Sequence, residues 1–149
     1  MSDRKTRIAQ LCLFDFASAI PVLPVIPIRR KMVLVTKIFC ILVALEFIFI
    51  FYLETLATIS KKTAKTFGVS VQSLESHDMN VSMKNQGVYN LGIAVLLLLA
   101  VFLLGSKTAV IGLLVYIIAV AAYGSFTVDR MIILKQGGLA IIALLACLL

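Results

Sequence analysis

Four apolar stretches dominate the chain from residue 38 onward: Ile38 to Leu56, Val88 to Leu104, Thr108 to Phe126 and Met131 to Leu149. A bilayer core about 30 Å thick takes roughly 20 helical residues, with about 17 to 25 tolerated, and each stretch meets that length. Charged residues gather between the runs and do not trace a polar face along any of them, as a soluble amphipathic helix would require. With 62% hydrophobic and 14% charged residues, against roughly 45–50% apolar in ordinary globular domains, water is the wrong solvent. The expected fold is therefore all-α: a polytopic membrane protein, an antiparallel four-helix transmembrane bundle over residues 32–149 whose first partner is the lipid bilayer.

Connections support that topology. Gly105-Ser106-Lys107 and Val128-Asp129-Arg130 leave room only for tight turns, which force neighbouring helices to run antiparallel. The uninterrupted apolar part of the fourth run, Gly137 to Leu149, is too short to cross alone, so that span must begin near Met131 with Lys135 snorkelling to the headgroups. Residues 60–85 form the one sizeable loop, within which Ser70 to Glu75 could start a short surface helix.

Residues 1–31 differ from the rest. A basic start (Arg4, Lys5, Arg7) leads to an apolar stretch interrupted by Asp15, then Pro21, Pro24 and Pro27, then Arg29-Arg30-Lys31. A proline inside a helix costs about 3 kcal/mol, which argues against a fifth span and for an irregular leader. Met32 stands directly before the first span, making it a candidate natural start with the leader outside the natural protein. Orientation depends on this point. In the full chain eight cationic residues fall on the side of the leader and Lys107, against six on the side of the long loop. A start at Met32 leaves Lys37 and Lys107 against those six, and the positive-inside rule then puts the long loop in the cytoplasm.

The net charge of +7 does not point to nucleic acid, because the Lys and Arg residues lie in juxtamembrane clusters and not along one binding face. Cys12, Cys40 and Cys147 form no CxxC pair. His77 is the only histidine and has no Cys neighbour, so no metal site and no cofactor motif is expected.

Polar residues inside the spans carry the functional information. A charge at the bilayer centre costs about 2.5 to 3.5 kcal/mol on insertion scales, so Glu46, near the middle of span one, should face the bundle, protonated or hydrogen-bonded, with Tyr116 as a candidate partner. Following depth through an antiparallel bundle brings together Glu54 at the exit of span one, Asn85, Gln86, Tyr89 and Asn90 at the start of span two, Tyr123 and Thr127 at the end of span three, and Gln136 at the start of span four. All lie toward the face that carries the long loop. Gln86, Tyr89 and Asn90 stand at i, i+3 and i+4, which suggests one helix face. Two readings fit: a small-molecule or ion site between helices, or polar contacts that hold membrane helices together at roughly 0.6 to 2 kcal/mol each.

The strings Ala44-Leu45-Glu46, Tyr52-Leu53-Glu54, Thr66-Phe67-Gly68, Asn85-Gln86-Gly87-Val88-Tyr89-Asn90, Ala122-Tyr123-Gly124 and Gln136-Gly137 resemble the family called domain of unknown function 1304. The resemblance covers Met32 to Leu149 and leaves residues 1–31 without a counterpart. It implies a small four-span membrane protein of a mostly bacterial family, hence a bacterial plasma membrane, and it brings no assigned reaction. Two departures stand out. Phe47 replaces the histidine that often follows the first glutamate, and Gly138-Leu139-Ala140 replaces a proline-containing string, removing a kink from the last helix.

Three functions remain open on the sequence. Binding or transport of a small solute, ion or lipid group at Glu46, Glu54, Asn85, Gln86, Tyr89, Asn90, Tyr123, Thr127 and Gln136 ranks first, with transport requiring a homo-oligomer because four short spans enclose little space. A membrane enzyme acting on a lipid or quinone comes second, since carboxylates are present but no nucleophile or cofactor motif is. An assembly partner of another membrane protein comes third.

Overall fold

A computed structural model describes residues 32–127 and 130–149; the leader, Cys12, Val128 and Asp129 lie outside the described residues. Those residues are helical throughout, with no strand among them. Helix α1 (Leu34–Phe51) runs without a break into a wider π turn, Tyr52–Leu56. Two short helices follow, α2 (Lys61–Phe67) and α3 (Val71–Glu75), then α4 (His77–Leu98), which also ends in a π turn, Leu99–Leu103. Helix α5 (Lys107–Thr127) leads to a single-turn α6 (Ile132–Lys135) and to α7 (Gly138–Leu148).

Three of these units, Leu34–Leu56, His77–Leu103 and Lys107–Thr127, are long and apolar enough to cross a membrane. Each is longer than its hydrophobic run suggested. Helix α4 begins eleven residues early, because the polar sequence from His77 to Gly87 continues the same helix, and Ser76 precedes it in extended geometry. The expected long loop is largely helical as well. Ser60 accepts the Thr63 amide at 3.0 Å and caps α2, Gly68 ends α2 in the left-handed region (φ 67°), and Ser70 accepts the Ser73 amide at 3.0 Å to start α3. Serine caps at both starts and a glycine at the intervening stop turn a polar connection into two defined helices.

The fourth run departs most from expectation. It is not one continuous helix but two pieces, separated at Gln136 and Gly137, and α7 has 11 residues. At about 1.5 Å per residue, α7 rises roughly 16 Å, half of a bilayer core. The break coincides with a close approach: a Cβ on Gly137 would lie 2.7 Å from the Ile133 carbonyl oxygen and 3.2 Å from Ala121 Cβ on α5. Helix α6 is thereby drawn against α5, whereas α7 packs on both α1 and α5. The upper part of the fourth column leaves α1 uncovered, with consequences for the site below.

The main core draws on the three long units and α7: Cys40, Val43, Ala44 and Phe47 of α1, Ala94 and Leu97 of α4 with Ala100 and Val101, Val110, Leu114 and Ile117 of α5, and Ala140, Ala143 and Cys147 of α7. Thr36 near the start of α1 donates to the Ala146 carbonyl near the end of α7 at 2.8 Å, and the end of α1 meets the start of α4, so neighbours are antiparallel. A smaller cluster of Ala64, Leu74 and Met83 seats α2 and α3 on α4. Outside the core, the three long helices present Leu, Ile, Val and Phe side chains such as Leu34, Leu45, Leu96, Phe102 and Val120 to the surroundings. Covering that surface with lipid removes the cost of wetting it.

Candidate functional site

Glu54 sits in the π turn that closes α1 and is fully buried. Its Oε2 accepts a hydrogen bond from Asn90 Nδ2 of α4 at 2.6 Å, while Oε1 is buried and has no hydrogen-bond partner among the described residues. The approach that permits this is set by Gly87, one turn before Asn90. A Cβ there would collide with the Thr55 hydroxyl and lie 3.0 Å from Glu54 Cβ. Only hydrogen at that position lets the two backbones come so near.

A π turn leaves backbone carbonyls without their ordinary helical donors, and here threonines supply the missing bonds. Thr58 Oγ1 donates to the Glu54 carbonyl at 2.6 Å, and Thr63 Oγ1 contacts the Ala57 and Leu53 carbonyls at 2.7 and 3.2 Å. Thr55 Oγ1 reaches across to the Lys84 carbonyl at 3.2 Å. Neither depth in the bundle nor helical spacing picks out these three threonines. The available signal was three threonines within nine residues directly after an apolar run, where hydroxyls can replace lost helix bonds. Thr63→Val should therefore lower the unfolding free energy by about 1 to 3 kcal/mol, the cost of stranding a buried carbonyl, measured by thermal unfolding in nanodiscs; an unchanged midpoint would mean the turn finds other donors.

Glu46 lies in a different place. It is half-buried and lines a cavity of about 550 Å³ together with Phe49, Ile50 and Leu53 of the α1 unit, Lys65, Thr66, Phe67 and Gly68 at the end of α2, and Ile132, Lys135 and Gln136 from the α6 segment. Glu46 Oε2 is buried and has no hydrogen-bond partner among the described residues. The cavity exists because α6 leans on α5 and the loop-side half of α1 is roofed by α2 instead. Lys62 of α2 sets its ammonium 4.7 Å from the centre of the Phe49 ring, a cation–π contact that ties α2 to α1.

The nine residues singled out from the sequence thus separate. Glu54 and Asn90 meet; Glu46 and Gln136 share the cavity. Asn85, Gln86, Tyr89, Tyr123 and Thr127 are exposed on the outside of the helices, and Thr127 spends its hydroxyl on the Tyr123 carbonyl at 3.0 Å. Tyr116, expected beside Glu46, is also on the outer surface. Among the described residues no three His, Cys, Asp or Glu side chains form a group able to hold a metal ion.

A family model described as protein of unknown function (DUF1304) matches residues 41–148. The chain belongs to this family. It is 47% identical over 116 residues to the Uncharacterized protein YpaA of Lactococcus lactis subsp. lactis (strain IL1403), a match that covers 77% of this chain and 98% of the relative. No solved structure matches it. The family match takes in both carboxylates, the Gly87–Asn90 crossing and every residue lining the cavity.

Proposed function

We propose that this protein is an integral membrane protein with four crossings, and that it binds a small molecule in the cavity beside Glu46. The fourth crossing would use α6, the break at Gln136-Gly137 and α7 together, since residues 132–148 rise about 25 Å at helical pitch, close to the hydrocarbon thickness. A bacterial cytoplasmic membrane is the proposed location, in keeping with a bacterial relative.

One observation carries the binding reading: a carboxylate oxygen that is buried, lacks a partner among the described residues and borders a cavity of about 550 Å³. Ligand pockets span about 300–1,000 Å³ and combine apolar walls with a few polar groups; here Phe49, Ile50, Leu53, Phe67 and Ile132 supply the walls and Glu46, Thr66 and Gln136 the polar groups. A buried polar atom left unpaired costs about 1 to 3 kcal/mol, so a structural role alone gives no reason to keep Glu46 there. Glu54 fits the packing role better. Its Oε1 is also unpaired among the described residues, but its Oε2 is held by Asn90 across two helices and Glu54 does not line the cavity.

Native mass spectrometry of the protein released gently from its own membrane tests this. Wild type should carry a bound species that is lost in Glu46→Gln and retained in Asn90→Ala. An apo mass for wild type, or retention by Glu46→Gln, would refute the assignment and favour a purely structural role for the polar residues.

A further inference from the structure

Away from the Glu46 cavity, a second pocket of about 280 Å³ is lined by the segment from Thr55 to Ser60, where the chain leaves α1, and by Asn80 and Lys84 of α4. The two long units fix its depth. Thr55 lies about 32 Å of helical rise from Leu34, and Lys84 about 29 Å from Leu103 at the opposite end of its own unit. Both distances match a bilayer core of about 30 Å. The two residues are level with each other, because Thr55 Oγ1 donates to the Lys84 carbonyl at 3.2 Å. The pocket therefore falls where hydrocarbon meets headgroups.

Its charge is one-sided. Lys84 lines it and no carboxylate does, and the exposed Lys84 ammonium has no partner among the described residues. Lys61, Lys62 and Lys65 are exposed on the adjoining α2, while Glu75 of α3 and Asp78 of α4 stay out of the lining. The end of a helix ordinarily offsets a neighbouring cation with bare carbonyls. Here Thr58 Oγ1 meets the carbonyls of Glu54 and Thr55 at 2.6 and 3.3 Å, and Thr63 Oγ1 meets that of Ala57 at 2.7 Å. Asn80 Nδ2 donates to the Leu74 carbonyl at 3.2 Å and keeps a second hydrogen. Among these polar groups the lining also holds Leu56 and Ile59, both exposed.

A free inorganic anion would pair with Lys84 and leave Leu56 and Ile59 uncovered. A purely apolar molecule would cover them and leave the ammonium unmatched. We infer that this pocket binds a phospholipid by its headgroup phosphate, with Lys84 as the cationic partner in a charge-assisted hydrogen bond, Asn80 as a second donor and an acyl chain over Leu56 and Ile59. The inference rests on the membrane-crossing reading and not on the cavity beside Glu46.

Native mass spectrometry of the full chain in a nonionic detergent, titrated with dioleoylphosphatidylglycerol, with dioleoylglycerol and with glycerol phosphate, tests it. The phospholipid should bind saturably and about tenfold or more tightly than dioleoylglycerol, the factor expected for a charged hydrogen bond. Lys84→Ala, which keeps the backbone carbonyl that Thr55 uses, should bring the phospholipid down to the affinity of dioleoylglycerol. Lys61→Ala, outside the lining, should leave it unchanged, as should Glu46→Gln. Absence of saturable phospholipid binding, or dioleoylglycerol binding as tightly, would overturn the phosphate assignment. Equal losses in Lys61→Ala and Lys84→Ala would overturn the site in favour of diffuse attraction to a basic surface, and glycerol phosphate binding as tightly as the lipid would make the occupant a free phosphate. Loss of the phospholipid in Glu46→Gln would overturn this pocket and put the lipid in the cavity instead. Loss in Lys84→Ala with retention in Glu46→Gln upholds it even if the cavity binds nothing.

Discussion

Gly87→Val should destabilise the protein more than any other single substitution in the polar residues at the loop-side end, by about 3 kcal/mol or more, and Gly87→Ala by about 1 to 3 kcal/mol, the usual cost of overpacking a tight core. The reason lies in what surrounds the missing Cβ. The Thr55 hydroxyl in its way could rotate aside, at the cost of its bond to the Lys84 carbonyl. The next obstacles cannot move so cheaply: Glu54 Cβ at 3.0 Å and Thr55 Cβ at 3.3 Å are fixed to the α1 backbone. Relief requires α4 to shift away from α1, and that lengthens the 2.6 Å bond between Asn90 and Glu54. Gly92→Ala, where nothing lies within 4 Å of the added carbon, is the matched control and should be neutral or slightly stabilising through better helix propensity. Thermal unfolding in nanodiscs compares the three; equal midpoints for Gly87→Ala and Gly92→Ala would show that the crossing tolerates a wider separation.

The same stripe explains which parts of the site were legible. Successive helix residues are about 100° apart, so residues at i, i+3 and i+4 spread over an arc of about 100°, wide enough to straddle the border between bundle and lipid. Gln86 and Tyr89 fall on the outer part of that arc and Asn90 on the inner part. The inward direction of α4 is marked by Met83, Gly87, Ala94 and Leu97, all buried, and Asn90 lies in line with them. Depth and the small residues Gly87 and Ala94 were therefore better guides than polar spacing. The three long helices were legible because segregation of charge from apolar runs survives any detail of packing. The break in the fourth run was not, since Gly137-Gly138 inside an apolar string is compatible with a straight helix until the contact with Ala121 is known. Nor was the cavity, which depends on that break and on the short helix α2, whose serine and glycine caps were written in a segment read as loop.

The Asn90–Glu54 pair should show a reversal of sign in a double-mutant cycle. Asn90→Leu removes the donor and leaves the Glu54 carboxyl fully buried, with Oε1 already unpaired. The loss should be about 3 kcal/mol, since breaking a buried polar pair by removing one partner strands the other. Adding Glu54→Met to that variant should restore most of the stability, because an apolar side chain of similar length fills the space with no group to satisfy. Glu54→Gln alone should be mild, its amide oxygen able to take the Asn90 proton in place of Oε2. Neither change should release a ligand held beside Glu46, because Glu54 does not line that cavity. Unfolding midpoints and bound mass measured on the same samples give both readouts. If Glu54→Met on top of Asn90→Leu lowers stability further, the carboxyl has a favourable role that the Asn90 bond does not account for. If Glu54→Gln alone strips the bound species, the two carboxylates are one site, joined through Leu53, which is buried beside Glu54 and lines the cavity wall.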